Sequence, residues 1–251
     1  MEKALKQLGF YAAEETAIGA TIVKKEYDRL LQEGEQDVII SSCCHSINLL
    51  IEKYFPSALR YLAKVVSPMQ AHCMDIKKRY PDAKTIFIGP CVSKKDEADR
   101  YPGPVDCVLT FEELLGMFDA KEIDFKTLEA DPADGMDEGS GFGRGFAVGG
   151  GVAAAVVEAI KHIDPDREIL IEYGDGLKEC RKMLAMAKAG KRNGYLLEGM
   201  GCPGGCVAGA GTLRPVKEST ASVERFKNAA SSMSTTESPY LGRLKDVEET
   251  C

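Results

Sequence analysis

The sequence predicts an α/β fold, two lobes of mostly parallel sheets flanked by helices around a shared cleft. Three observations carry that expectation. Short apolar, β-branched runs alternate with segments of helical period along the chain, the pattern of parallel strands joined by crossover helices. The 251 residues, 44% hydrophobic and 28% charged, suit one large domain or two small lobes rather than a disordered or fibrous chain. Three cysteine-bearing turns each follow an apolar run, the strand end where such folds bind ligands.

The elements are read in order. A short helix is expected over 3–8 and a strand over 10–14 (FYAAE). A helix over 19–33 stops at Gly34, a residue free to adopt the left-handed cap. The run 38–40 reads as a buried strand. After CCHS a helix carries Ile47, Leu50, Ile51 and Tyr54 on one face and ends before Pro56. Ser67-Pro68 opens the next helix, serine as N-cap and proline at the first helical position. Strands follow at 85–88 and 105–109, with Thr110 capping a helix in FEELLGMF. Residues 121–137 read as irregular and acidic, with 131–138 a solvated loop. Seven glycines fall in 139–151, close-packed rather than phosphate-binding because neither G-x-G-x-x-G nor a P-loop lysine is present. The helix VAAAVVEAI, a strand at 169–173, a helix reaching about 189 and a strand at 195–197 complete the core. One domain with lobes of approximately 1–110 and 111–230 is expected, with a peripheral, mobile tail over 231–251.

Net charge is -7, so a nucleic-acid platform is a poor expectation. No apolar run approaches the roughly 20 residues needed to span a bilayer. The start MEKALKQLGF lacks an apolar signal core, and a cytoplasmic location is expected. Of the nine cysteines, Cys73, Cys107 and Cys180 lie in strand-like or helical stretches and read as buried free thiols; Cys251 is terminal. Cys43, Cys44, Cys91, Cys202 and Cys206 occupy the three turns.

Four thiolates can hold a [4Fe–4S] cube, because soft sulfur suits iron–sulfur clusters. Cys202 and Cys206 can reach one cluster from a single turn, with Gly204 and Gly205 clearing side chains from it. Cys43 and Cys44 are adjacent, so one can ligate while the other serves elsewhere. Zinc competes, but it usually takes paired C-x2–4-C knuckles, whereas ligands at 44, 91, 202 and 206 are scattered. Thiol catalysis without metal is the third reading.

The three turns resemble the signature segments of the [FeFe]-hydrogenases. SSCCHSI is similar to a Thr/Ser-Ser-Cys-Cys-Pro segment, GPCVSKKDEADR to Pro-Cys-x-x-Lys-x-x-Glu, and EGMGCPGGCVAGAG to Glu-x-Met-x-Cys-x-x-x-Cys followed by glycines. The order and separations also match, over approximately 5–213. The resemblance implies an H-cluster in the cleft between the lobes, a [4Fe–4S] cube bridged to a two-iron subcluster with CO, cyanide and a bridging dithiolate. It places Cys44, Cys91, Cys202 and Cys206 on the cube, Cys206 also bridging to the two irons. Cys43 becomes the proton-transfer thiol, its pKa lowered by its environment. Lys94 faces a cyanide, with Glu97 the carboxylate beside it, and Met200, Phe146, Pro90 and Ser67 line the pocket. Implied partners are H2 and protons, an external electron carrier such as ferredoxin or an iron–sulfur subunit, and maturation proteins.

Several positions depart from the pattern. His45 stands where proline is usual, and Gly89 where methionine is usual. The acid–serine proton route lacks a glutamate in 23–27 unless Glu26 serves, and Ala63 replaces a serine. The chain begins after the family's usual first strand and carries no ferredoxin-type cysteine run, so a partner chain, or a naturally minimal or truncated version, is expected. His45 reads as a hydrogen-bonded loop residue, a proton relay or a ligand, and His72 and His162 as structural or exposed. Three functions compete: reversible hydrogen oxidation, hydrogen or redox sensing with little flux, and a non-catalytic role like the hydrogenase-like iron–sulfur assembly factors.

Overall fold

The computed structural model describes residues 1–34, 37–128 and 139–238. Helix α1 (Glu2–Gln7) is followed by irregular chain, and no strand forms at 10–14. FYAAE has the alternation of a strand, but no described strand pairs with it. Helix α2 (Ala17–Glu33) begins two residues earlier than expected and ends at Gly34, whose φ of 65° is the left-handed cap. Strand β1 (Val38–Ile40) leads to α3 (His45–Tyr54), a 3-10 turn (Pro56–Tyr61) and α4 (Pro68–Arg79). Tyr54 is 56% exposed, so the apolar face of α3 stops at Ile51. Ser67 caps α4 through Gln70 N–H.

Strand β2 (Ile86–Ile88), helix α5 (Ser93–Arg100), strand β3 (Cys107–Leu109) and helix α6 (Phe111–Ala120) come next. Thr110 and Glu113 form a reciprocal capping box on α6. Helices α7 (Gly141–Gly145) and α8 (Gly151–Ile163) precede strand β4 (Leu170–Asp175), helix α9 (Gly176–Lys188), strand β5 (Tyr195–Met200) and helix α10 (Val216–Asn228). Helices α5 and α10 lie outside the sequence expectation, since SKKDEADR has no apolar face and α10 buries no residue.

Both sheets are parallel, one ordered β1-β5-β4 and the other β2-β3. Strand β1 pairs with β5, so the expected boundary near residue 110 does not separate the sheets. The largest core cluster joins α2, the Cys43 turn, Phe146, α8 and Met200. A second cluster packs β1, α3 and α9 around Cys180 and Leu197. Cys107, expected to be buried, is exposed on β3, while Cys73 and Cys180 are buried. Residues 231–238 are fastened rather than peripheral: Ser232 and Met233 carbonyls accept from Gly141 and Phe142, and Thr235 is fully buried. Residues 239–251, with Cys251, and the acidic loop 131–138 lie outside the described residues.

Candidate metal centre

Each cysteine turn leaves the carboxyl end of a parallel strand. Strand β1 ends at Ile40, and Ser41 N–H still bonds Leu197 carbonyl, which delivers Cys43 and Cys44 beside the end of β5. Cys44 is the extended residue before α3, and its Sγ accepts from Gly201 N–H at 3.4 Å. Strand β2 ends at Ile88, and Gly89-Pro90-Cys91 turn into α5, whose i,i+3 spacing puts Lys94 and Glu97 on one face. Strand β5 runs through Met200 into the Cys202–Cys206 turn.

That turn is gripped from several sides. Gly204 and Gly205 both have φ of +93°, the region glycine alone enters freely. A Cβ on Gly205 would sit 2.5 Å from Gly149 N and 2.8 Å from Val148 C, both backbone atoms. Gly149 N–H bonds Gly204 carbonyl, and Val207 N–H bonds Ala147 carbonyl. Asp175, at the end of β4, accepts from Gly204 N–H at 2.6 Å and from Tyr173 Oη at 2.8 Å. Gly211 N–H bonds Pro90 carbonyl at 2.8 Å, and a Cβ on Gly209 would meet that oxygen at 2.4 Å, so the second and third turns touch. The glycine segment before α8 is therefore packing, as its sequence suggested.

Two bounds describe the spacing of Cys44, Cys91, Cys202 and Cys206. They are near enough to act on one another: burial, then Cys91 and Cys44, raise the Cys202 pKa, and burial, then Cys44 and Cys91, push Cys206 up to about 12. Yet among the described residues no three His, Cys, Asp or Glu side chains close on a point small enough for one metal ion. Four thiols match in number and type the cysteine ligands of an iron–sulfur group, and the same soft donors also suit zinc. Cys180 is buried in the core cluster against which Cys44 packs, and its thiol donates to the Gly174 carbonyl.

Cys43 lies in the apolar cluster with Met200 and Phe146, against which Cys44 and Cys206 pack. Its Sγ is 3.6 Å from Tyr27 Oη, which also lies 3.0 Å from Ser42 Oγ. Burial pushes the Cys43 thiol up to about 12, against the lowered value expected from sequence. The nearby Lys94 pulls downward but is outweighed, so Cys43 holds its proton at neutral pH.

Lys94 is buried and donates to the Cys43 carbonyl at 3.1 Å and to Glu97. Burial would lower its pKa, but Glu97, then Cys91 and Cys44, raise it, so it stays an ammonium facing the thiols. Ser67 Oγ donates to Glu97 at 2.5 Å. Pro90 is half-buried and joins the site through its carbonyl. Sequence reasoning missed Tyr27, Asp175 and Glu198. Glu198, in the quoted EGMGC segment, is fully buried, and burial pushes its carboxyl up to about 7. It accepts from Gly150 and Ala153 N–H, pinning the start of α8 against the third turn. A lone acid inside the apolar run YLLEGM was the available signal.

The departures have local explanations. The Phe87 ring fills the space beside Gly89, 2.9 Å from where a Cβ would stand. Val23 and Ala63 are fully buried and present no acid or hydroxyl, and Glu26 is committed to Arg29 at 2.8 Å. His45 is the first residue of α3 rather than a loop residue, with Nε2 2.6 Å from Asp96. His72 is a buried partner of Glu14, and His162 is an exposed partner of Glu158.

These features agree with comparisons to known proteins. Solved structures share the fold: a variant of [FeFe]-hydrogenase HydA1 from Chlamydomonas reinhardtii aligns with a TM-score of 0.73 at 21% identity, over 95% of this chain and 80% of that one. Iron hydrogenase 1 of Clostridium pasteurianum is 30% identical, covering 98% of this chain and 51% of its own length. Protein NAR1 of Arabidopsis thaliana is 24% identical over 84% of this chain and 59% of its own. The chain thus spans about half the length of these curated relatives. The family described as "Iron only hydrogenase large subunit, C-terminal domain" matches residues 1–210. With the fold, the turn order and that match in agreement, the chain belongs to this family, the C-terminal domains of iron-only hydrogenase large subunits.

Proposed function

We propose that the chain is a hydrogenase catalytic domain that oxidises H2 to protons and electrons reversibly at an H-cluster. The observation that carries this reading is that three cysteine turns leave the carboxyl ends of parallel strands, with a fifth, buried thiol at Cys43 and a buried lysine, Lys94, bonded to its carbonyl. Cys44, Cys91, Cys202 and Cys206 would hold the [4Fe–4S] cube, and Cys206 would bridge to the two-iron subcluster with its CO, cyanide and dithiolate ligands. Bound there, the cluster supplies the redox chemistry.

The chain's own residues do the rest. Cys43, protonated at neutral pH, holds a proton within the apolar cluster next to Cys44 and can exchange it with Tyr27 Oη. Lys94 supplies a charge-assisted donor for an anionic ligand, and Glu97 and Ser67 keep its ammonium in place. Met200 and Phe146 form the apolar wall that excludes water. Loading the site releases protons, because thiols with raised pKa values must ionise to ligate.

An electron carrier such as ferredoxin or an iron–sulfur subunit, and maturation proteins, are the partners this chemistry requires. The eight cysteines among the described residues are free, which suits a reducing, cytoplasmic setting. No described helix is long and apolar enough to cross a membrane. Two alternatives have specific support. Val23 and Ala63 offer neither acid nor hydroxyl where the family's proton route would need them, which favours a sensor with little flux. The NAR1 relatives and the related protein named a cytosolic Fe-S cluster assembly factor favour a non-catalytic role.

Infrared spectra of the anaerobically matured chain discriminate. Bands from CO and cyanide are expected, whereas an iron–sulfur absorption without them moves the chain to the assembly-factor reading. Cys43→Ala should abolish most hydrogen turnover with a reduced dye while iron content is unchanged; full turnover would remove Cys43 from its role.

A further inference from the structure

Helix α9 turns Cys180, Met183, Leu184 and Ala187 inward and leaves Leu177, Lys178, Arg181, Lys182 and Ala185 on its outer face. The i,i+4 spacing sets Leu177 beside Arg181 and Lys178 beside Lys182. The end of α3 continues this face. Arg181 Cζ lies 5.8 Å and Lys53 Nζ 5.6 Å from the centre of the Tyr54 ring, which ties both cations to one aromatic side chain. Phe55, Leu177 and Ala185, with Lys178, Arg181 and Lys182, line an open depression of about 660 Å³.

A cluster of surface cations is usually only solvated, but two features set this one apart. The first is the want of compensating acid. Among the described residues Lys53, Lys178, Arg181 and Lys182 form no ion pair, whereas the exposed Lys84, Arg100 and Arg214 each meet a carboxylate. The acids next to the cluster in sequence are engaged elsewhere, Glu52 with Arg100 and Glu179 with the Asp175 N–H. Like charges at i,i+4 repel and weaken a helix, and these stand unrelieved on a chain whose net charge is -7. The second feature is apolar surface among the cations: the exposed Tyr54 and Leu177, and the half-buried Phe55.

Together they fix the chemistry of an occupant. Unpaired cations call for carboxylates, and tyrosine and arginine are the side chains enriched in protein interfaces. The depression takes one protruding apolar side chain, which a nucleic-acid backbone does not present and a planar bilayer cannot lower into a concavity. The negative charge of the rest of the chain also repels a long phosphate polymer. A Cβ on Gly176 would stand 3.1 Å from Pro203 Cγ, so α9 starts against the third cysteine turn.

We propose that the outer face of α9 and the end of α3 bind an extended acidic segment of a partner protein, its carboxylates on the cations and one apolar side chain in the depression. The proposal does not depend on the cluster reading, and its test uses the whole chain without hydrogen assays. Fluorescence anisotropy follows the peptide fluorescein-EEDFEEDL-amide, the same peptide with serine in place of its two apolar residues, and a labelled short DNA duplex; sedimentation follows vesicles of phosphatidylserine and phosphatidylcholine. Saturable one-to-one binding of the first peptide is expected, with the serine peptide weaker by about fivefold or more for want of apolar burial. The double reversal Arg181→Glu, Lys182→Glu should weaken the first peptide about tenfold or more. The reversal Lys121→Glu, Lys126→Glu makes the same change in net charge at other exposed positions and should shift affinity less than about twofold, because salt screens distant charges. Leu177→Ser, which alters no charge, should weaken binding about threefold or more and reads the depression independently. Thermal melting verifies that the variants fold. No saturable binding of the first peptide, equal affinity for the two peptides, equal loss in the two double variants, unchanged affinity in Leu177→Ser, or tighter binding of the duplex or the vesicles than of the peptide would overturn the proposal.

Discussion

Gly205→Ala isolates the third turn. Gly205 has φ of 93° and ψ of −161°, a region essentially confined to glycine, where an L side chain costs about 1–3 kcal/mol. The added Cβ would also stand 2.5 Å from Gly149 N, 2.8 Å from Val148 C and 2.9 Å from Ala147 O. All three are backbone atoms, so relief requires the glycine segment before α8 to move, a displacement that costs about 1–3 kcal/mol when cores are overpacked. Those atoms are also held in place: Gly149 N–H bonds Gly204 carbonyl, Ala147 carbonyl accepts from Val207, and Glu198 pins the start of α8. The two costs together give about 2–6 kcal/mol, which for a chain of this size lowers Tm by about 4–24 °C. The assay is thermal unfolding of the metal-free protein, followed by iron analysis after reconstitution, where iron per chain should fall because Cys202 and Cys206 flank the substituted residue. A Tm within about 1 °C of the parent, less than the smallest of these costs would produce, refutes the claim that this turn is sterically locked.

Two further substitutions test other parts of the site and its frame. Lys94→Ala strands Glu97 as an unpaired buried carboxylate and should cost about 3–5 kcal/mol by urea denaturation; a Lys94→Met, Glu97→Leu double variant should recover most of that, and equal loss in both would show that the ion pair is not the cause. Glu14→Gln reads the acid limb of stability: burial would raise the Glu14 carboxyl, but hydrogen bonds from His72 and Arg79 prevail and hold it at about 2. With the folded pKa below the unfolded one, the stabilisation is complete above about 4.5 and fades as pH falls through about 2. The variant should therefore lose stability at neutral pH and show a flatter profile between those values; an unchanged acid limb would assign the dependence to other carboxylates.

The parallel strands and the three cysteine turns are legible in the sequence because period, β-branching and glycine–proline punctuation are local signals. Even there the strand expected at 195–197 falls three residues short, since Glu198 and Gly199 look like a strand's end until β4 is known to pair with them in register. Helix α5 carries no apolar stripe; it is held by Lys94 to Glu97 and by Lys95 to the Val108 carbonyl and Glu113, contacts between α5 and β3 or α6 that exist only after folding in the second case. Tyr27 beside Cys43 is equally invisible, because a helix residue meets a turn residue sixteen positions away. The thiol's raised pKa escapes for a related reason: sequence names the neighbouring lysine, but the depth of burial that outweighs it is a property of the packed core.

Strand β5 lies between β1 and β4 although it is the last of the five in chain order. A nascent chain therefore emerges from the ribosome with an interior slot waiting, and the three-stranded sheet has no centre until about residue 200 is made. The same late segment leads into two of the five turn cysteines. Until it is in place, β1, which leads to Cys43 and Cys44, lacks the strand it pairs with. Synthesis order thus makes closure of the sheet and delivery of Cys202 and Cys206 to the first cysteine turn a single late event.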